Sequence, residues 1–204
     1  VEKIFMKLLL ENWRKYLNEG TEAKWINKME EYPDLIVAST KAGSGYIIFY
    51  TTEQVLEELG AKASGIKGHG IMRRLGLPYG SIELDKSSEA NLPKSMGGGA
   101  YGGCSDAFHV GIVNSLSGWG PLLYDVAMEI ATQEGAGLIP DRQKVSGDAG
   151  KVWTFYATKR AKADEVDIQP LENCIEIPGA SYMNKLYSKK PALIQALGNR
   201  YRKV

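Results

Sequence analysis

The feature that most constrains this fold is a pair of glycines between two apolar runs. The run "AFHVGIVNS", which begins at Ala107, is apolar and partly alternating, as in a strand, and "LSGWG" after it predicts a tight turn. Pro121 fits the first turn of a helix, and apolar residues recur after it at helical spacing up to about Glu134. The sequence therefore predicts a strand, a glycine turn and a helix, in that order.

This order leaves backbone N–H groups at the helix N-terminus, where they form a site for an anion such as phosphate. A plain strand-to-helix connector is the alternative interpretation. The third glycine of the dinucleotide-binding fingerprint is missing, and so is the lysine of a phosphate loop. Both interpretations stay open at this point.

The neighbouring segments predict an α/β fold. "DLIVAST", "GYIIFYT" and "GSIELDKS" have the β-branched and aromatic residues of strands, and "TEQVLEELG" has the cap and the glycine stop of a short helix. "GAGLIPD" predicts a strand over about 137–140, adjacent to a strand at 107–115. "VSGDAGKVWTFYATKR" predicts a helix over about 146–159, capped by Ser146. A mixed sheet flanked by helices follows.

The chain divides into an amphipathic helical leader at 1–31, a body at 32–181 and a basic C-terminal tail at 182–204. The leader stripe consists of Phe5, Leu9, Trp13 and Leu17. We expect this stripe to pack on the body, with docking on a partner protein as the alternative. The tail holds six Lys or Arg and no acid, which is typical of a solvated helix end; contact with an acidic partner is the alternative. The glycine-rich loop at 88–105 is either a substrate lid or a linker.

Composition limits the class of protein. With 204 residues, 44% hydrophobic and 24% charged, the chain is long enough for one domain with a full core. No apolar run approaches the roughly 18–20 residues of a membrane span, and no secretory signal is recognisable, so we expect a cytoplasmic protein. Cys104 and Cys174 lack ligand spacing and predict two thiols, with no metal site. His69, between two glycines, is typical of a loop residue.

The strand, G-x-G turn and apolar helix resemble the core of the GNAT superfamily of N-acetyltransferases. In that family the amides of the turn hold the pyrophosphate of acetyl-CoA. The two glycines are here Gly118 and Gly120, and Leu122 and Ala131 keep the apolar positions of the helix. The resemblance covers roughly residues 107–160, and it implies a GNAT-like mixed twisted sheet flanked by helices, with acetyl-CoA as co-substrate. The segment "MKLLLENWRKYLNE" also resembles leaders of proteins of marine tailed bacteriophages, which implies a viral source.

The sequence departs from the family pattern at three places. Ser115 stands where the family has Gln or Arg, and Trp153 stands where it has the Tyr that protonates the departing thiolate. The Gly-Phe pair that follows the helix in the family is replaced by "KRAKADEV". Tyr156, one helical turn beyond Trp153, is the substitute that we expect for the acid.

The resemblance implies acyl transfer from a thioester to an amine, which needs a base for the ammonium proton. His109, on the strand that leads to the turn, is the candidate base, and Asp106 is the second candidate. A strand histidine satisfied by a neighbour is the alternative interpretation of His109. Backbone amides near 112–114 are expected to hold the thioester carbonyl. The expected acetyl-CoA contacts are Val113, Ser115, Leu116, Ser117, Gly118, Trp119, Gly120 and Ser146.

Two functions follow from the resemblance. The first is an acyl-CoA-dependent N-acyltransferase whose acceptor is a small-molecule or protein amine. The second is a catalytically silent relative with a structural or binding role, in a virion or with a host protein. For either function we expect no membrane partner, because no apolar run is long enough to span a bilayer, and a nucleic-acid partner is not expected, because no nucleic-acid motif accompanies the basic residues. For a viral source the compartment is the cytoplasm of the host cell, or the virion.

Overall fold

The computed structural model describes residues 21–59, 79–86, 106–142, 145–160, 166–172, 174 and 176–204. The apolar stripe of the leader, His69 and the glycine-rich loop at 88–105 lie outside this part of the chain. The described helices are α1 (Thr21–Glu30), α2 (Glu53–Leu59), α3 (Gly120–Glu134), α4 (Gly147–Phe155) and α5 (Leu193–Leu197). The described strands are β1 (Leu35–Ala42), β2 (Gly45–Thr52), β3 (Gly80–Lys86), β4 (Ala107–Ser115), β5 (Gly137–Ile139), β6 (Asp167–Pro170), β7 (Lys185–Ser188) and β8 (Tyr201–Lys203).

The described strands form one mixed sheet in the order β6-β7-β5-β4-β3-β2-β1-β8. The pairs β4–β5 and β1–β8 are parallel, and the remaining pairs are antiparallel. The expected α/β class and the expected adjacency of the strands at 107–115 and 137–140 are confirmed. The helix predicted for 146–159 is also present, although its last part, Tyr156–Arg160, winds as a π-helical turn.

Helix α3 lies at the centre of the hydrophobic core, against the sheet and against the aromatic residues of α4. Leu122, Leu123, Val126 and Ala127 are all at most 1% exposed, and fully burying one Leu or Val side chain stabilises a fold by about 1.5–3 kcal/mol. The sequence predicted an amphipathic helix with one polar face. The structure corrects this, because α4 and the C-terminal segment cover that face and bury its polar residues.

Glu129 of α3 holds the C-terminal segment in place. Its carboxylate accepts hydrogen bonds from the backbone N–H groups of Ala192, Leu193 and Ile194, at the start of α5. Through these bonds, and through strands β7 and β8, the basic segment at 182–204 is built into the sheet. The expectation that its charges belong to a solvated tail is therefore corrected: the segment has buried apolar residues, and one of its cations, Lys189, is buried as well.

Two further expectations are decided by the fold. Cys174 is disulfide-bonded, so the expectation of a free thiol at this position is wrong. Among the described residues, no helix has both the length and the apolar composition that a membrane crossing requires. The same part of the chain contains no group of His, Cys, Asp and Glu that is able to hold a metal ion.

Candidate functional site

The ladder between the parallel strands β4 and β5 is short. It covers three residue pairs, from Ala107 opposite Gly137 to His109 opposite Ile139, where β5 ends; we refer to the end of this pairing as the separation of β4 and β5. From Val110 to Ser115, β4 pairs with no described strand on the side of β5, and we call this unpaired edge the open edge, or opening, of β4. An unpaired edge of this kind binds an extended chain through main-chain hydrogen bonds.

A β-bulge lies in this open part of β4. On β3, Ile82 and Leu84 pair with Val113 and Val110, so one β3 residue faces two β4 residues, Gly111 and Ile112. Bulges turn backbone groups out of the ladder and occur often beside active sites. The side chain of Ile112 is also 41% exposed, which is unusual for a large apolar residue in a central strand. The bulge is therefore located where the sequence predicted amides for a thioester carbonyl.

The glycine turn follows at the end of β4. Gly118 has φ of +80°, which favours glycine, and a Cβ atom on Gly120 would lie 2.9 Å from Ser115 Oγ. Helix α3 begins at Gly120 with Pro121 in its first turn, and no side chain caps the helix. The free amides of the first turn and the positive end of the helix dipole make this N-terminus suitable for an anion.

Trp119 anchors the turn. Its side chain is buried, and its ring packs edge-on against Tyr32, Tyr50 and Tyr79, with ring centroids 4.8–5.3 Å apart. The Tyr50 hydroxyl donates a 2.7 Å hydrogen bond to the Trp119 carbonyl. Burial raises the pKa of Tyr50, which keeps this hydroxyl protonated as a donor. Trp119 was expected to contact acetyl-CoA; its ring lies in this aromatic cluster, and the expected contact stays a prediction.

Lys28 brings a positive charge to the turn from helix α1. Its Nζ atom donates a 3.0 Å hydrogen bond to the Gly118 carbonyl and lies 4.2 Å from the centroid of the Trp119 ring. Sequence reasoning missed this residue, because 90 positions separate it from Gly118. Ser115 supplies no cation at the turn, and the fold places the Lys28 ammonium there.

His109 lies where β4 and β5 separate. It pairs across the β3–β4 ladder with Asp85, and its Nε2 atom is 4.0 Å from Asp85 Oδ2. Gly111 leaves room for this carboxylate, since a Cβ there would lie 3.0 Å from the same oxygen. Within the described residues, the buried His109 Nδ1 has no hydrogen-bond partner. Sequence reasoning missed Asp85, which only the strand register reveals. Asp106 is exposed, just before β4, and its carbonyl accepts the Ala136 N–H.

Tyr156 is fully buried beside the first turn of α3. Its hydroxyl donates to Asp125 Oδ1 at 2.7 Å and contacts the Pro121 carbonyl at 3.1 Å, while Arg160 Nη1 donates to Asp125 Oδ2 at 3.1 Å. Burial raises the pKa of Tyr156 well above its ordinary value. Trp153 is buried as well. The burial of Tyr156 and its raised pKa count against this residue as an acid that touches a thiolate. Its hydroxyl connects α4 to the first turn of α3.

The structure brings most of the expected acetyl-CoA contacts together. Val113, half-buried, lies on the open part of β4, and Ser115, Leu116 and Ser117 are exposed between β4 and the glycines. Leu116 is 49% exposed and adds a second apolar side chain beside the opening. Ser146 is at a different place: its hydroxyl caps α4 by accepting the Ala149 N–H, and no hydrogen bond of the described residues joins it to the turn.

Comparison with known proteins adds no assignment to this geometry. No protein-family model, no curated protein and no solved structure matches the chain.

Proposed function

We propose that this protein is an acyl-CoA-dependent N-acyltransferase with a GNAT-like fold, which transfers an acetyl group from acetyl-CoA to an amine. The observation that carries the proposal is the separation of β4 and β5 after His109, with a bulge and a glycine turn on the open strand. This arrangement offers main-chain groups to an extended donor and helix amides to its phosphates. A plain connector between a strand and a helix requires neither an open edge nor a bulge.

The residues of the turn divide the binding task. In the proposed complex, the amides at the start of α3 and the Lys28 ammonium bind the phosphates of acetyl-CoA at the turn. The exposed side chains of Ile112 and Leu116 offer apolar surface beside the open edge. Buried aromatic contacts and the Tyr50 hydrogen bond hold Trp119, so the turn is fixed before a ligand binds. Preorganisation of this kind lowers the entropic cost of binding.

The proposed chemistry is one acyl transfer. His109 takes a proton from the ammonium group of the acceptor, and the resulting amine nitrogen forms a bond to the thioester carbonyl carbon. The C–S bond then breaks, with its electron pair left on the sulfur as a thiolate, and the nitrogen releases its surplus proton to that thiolate or to water, which leaves a neutral amide. A thiol has a pKa of about 8.5, so the leaving thiolate needs little help from an acid near neutral pH. The proposal therefore does not depend on Tyr156.

A catalytically silent relative that keeps the binding site is the second candidate. The observation that favours it is the burial of Tyr156, the candidate acid, and of Trp153, which stands at the family position of that acid. A transfer assay with acetyl-CoA and a broad panel of amines separates the two candidates. Acetylated product from the native protein supports the transferase, and acetyl-CoA binding without any product supports the silent relative.

A further inference from the structure

A second cleft lies beside β5, on the side away from β4. It has a volume of about 370 Å³, which is within the range of small-molecule sites. Arg142, three residues beyond the end of β5, lines one wall, and the connection from β6 to β7 lines the other. Among the described residues, the charged members of the lining are Arg142, Glu176 and Lys185. Neither the turn nor the open edge of β4 contributes to this cleft.

Hydrogen bonds tie together the described parts of the connection from β6 to β7. The Asn184 side chain donates to the Ile177 carbonyl and accepts the Ile177 N–H, each at 2.8 Å, and the Asn184 carbonyl accepts the Leu171 N–H at 3.0 Å. Glu176 directly precedes Ile177 in the chain, and Lys185 directly follows Asn184. Their backbone positions are therefore fixed relative to each other.

Two charged residues of the cleft are not paired with each other or with a neighbour. Within the described part of the chain, neither Glu176 nor Lys185 forms an ion pair or a side-chain hydrogen bond, and both line the same cleft. Arg142 is 2% exposed and donates to the Met183 carbonyl at 3.3 Å, so it belongs to the wall of the cleft and is not counted among the groups open to a ligand. A carboxylate and an ammonium group in one cleft are complementary to a ligand that carries both signs of charge.

We propose that this cleft binds a small zwitterion of the α-amino acid class, with its carboxylate toward Lys185 and its ammonium group toward Glu176. The assignment of this ligand as the acyl acceptor rests on the proposed function. The cleft follows directly from β5, the strand that separates from β4 at His109. An amino acid bound there brings its amine to the same end of the sheet as the opening.

The test is a direct binding measurement on the full chain. Calorimetric titration with a panel of the common amino acids is compared with titration of ethylamine, acetate and inorganic phosphate. We expect at least one amino acid to bind, and the simple amine, acetate and phosphate to bind at least about tenfold more weakly. Lys185→Glu and Glu176→Lys each lower the affinity by about tenfold or more, and Lys190→Glu, an exposed lysine outside the lining, leaves it unchanged.

Three results overturn the proposal: no amino acid binds, phosphate or ethylamine binds as tightly as the best amino acid, or neither charge reversal affects binding while the variants stay folded. Acetyl-CoA is titrated separately into the same samples. Amino acid binding without acetyl-CoA binding keeps the cleft and rejects the proposed function. Acetyl-CoA binding without amino acid binding rejects the cleft and leaves the proposed function standing.

Discussion

Asp85 and His109 face each other across the β3–β4 ladder, with the His109 Nε2 atom 4.0 Å from Asp85 Oδ2. This distance is too long for a hydrogen bond, so the carboxylate acts on the imidazole through its charge. The pair lies where β4 and β5 separate, at the place that an attacking amine has to reach in the proposed reaction.

The first prediction concerns this pair. His109→Gln lowers the turnover of acetyl transfer by about 10²–10⁴-fold, the usual contribution of a positioned base, with little change in acetyl-CoA affinity. Asp85→Asn lowers turnover by only about two- to fivefold, because the carboxylate is half-exposed and acts at a distance. Steady-state kinetics measure both values. Wild-type turnover in His109→Gln would exclude this residue as the base.

The second prediction concerns Lys28. Lys28→Gln weakens acetyl-CoA binding by about two- to fivefold, because one exposed positive charge at the turn is lost. The difference from wild type shrinks at high salt, which screens exposed charges. Lys41→Gln is the matched control and keeps wild-type affinity; Lys41 lies near the end of β1 that is farther along the chain from Lys28. Equal affinities of Lys28→Gln and wild type at low salt would show that the ammonium serves only the structure of the turn.

The third prediction concerns the buried network of Asp125, Tyr156 and Arg160. Tyr156→Phe removes a hydrogen bond to a buried carboxylate and lowers the free energy of unfolding by about 1.5–3 kcal/mol. Asp125→Ala costs about 3–5 kcal/mol, because it removes the charge partner of the buried Arg160 guanidinium. Urea unfolding measures both losses. The exposed control Thr158→Ala stays within about 0.5 kcal/mol of wild type, and a similar result for Asp125→Ala would contradict the structure.

The fourth prediction concerns Glu129 and pH. Burial raises the pKa of Glu129 above its ordinary value of 4.5, although three backbone N–H groups oppose the shift. A carboxyl group with a raised pKa binds more protons in the folded state, so its contribution to stability is present below the unfolded pKa and is lost as pH rises through the folded pKa. Wild type therefore loses stability relative to Glu129→Gln as pH increases over this window. Thermal unfolding of both proteins across pH measures the difference, and a constant difference contradicts the burial of an ionising carboxyl.

The sequence predicted the strand, turn and helix of the site, but it did not predict the residues that other segments bring to them. Strand β4, the turn and helix α3 follow from local patterns: β-branched alternation, two glycines and a proline before a helical repeat. Lys28 and Asp85 were not predictable in the same way, because each reaches the site through a contact between distant segments. The sequence also did not predict where the pairing of β4 with β5 ends, because no local residue pattern specifies how many residue pairs two strands form.

Helix α3 and the C-terminal segment show a second limit of sequence patterns. The sequence pattern gave no sign of the roles of Asp125 and Glu129, since charged residues at helical spacing usually lie in water. Each is instead buried with a specific partner, Arg160 for Asp125 and the N-terminus of α5 for Glu129. The basic residues at 182–204 suggested a solvated tail for the same reason. Their apolar neighbours, among them Leu193 and Leu197, pack in the core.

The glycine turn is the basis of the proposed function, and calorimetric titration with acetyl-CoA tests it most directly. We predict that wild type binds acetyl-CoA, and that Gly118→Val and Gly120→Val do not, since one strains a backbone at positive φ and the other crowds Ser115. Gly147→Ala, where a Cβ meets nothing within 4 Å, keeps wild-type affinity. Far-UV circular dichroism verifies that each variant is folded. The account is contradicted if wild type does not bind acetyl-CoA, or if both valine variants bind it as tightly as wild type does.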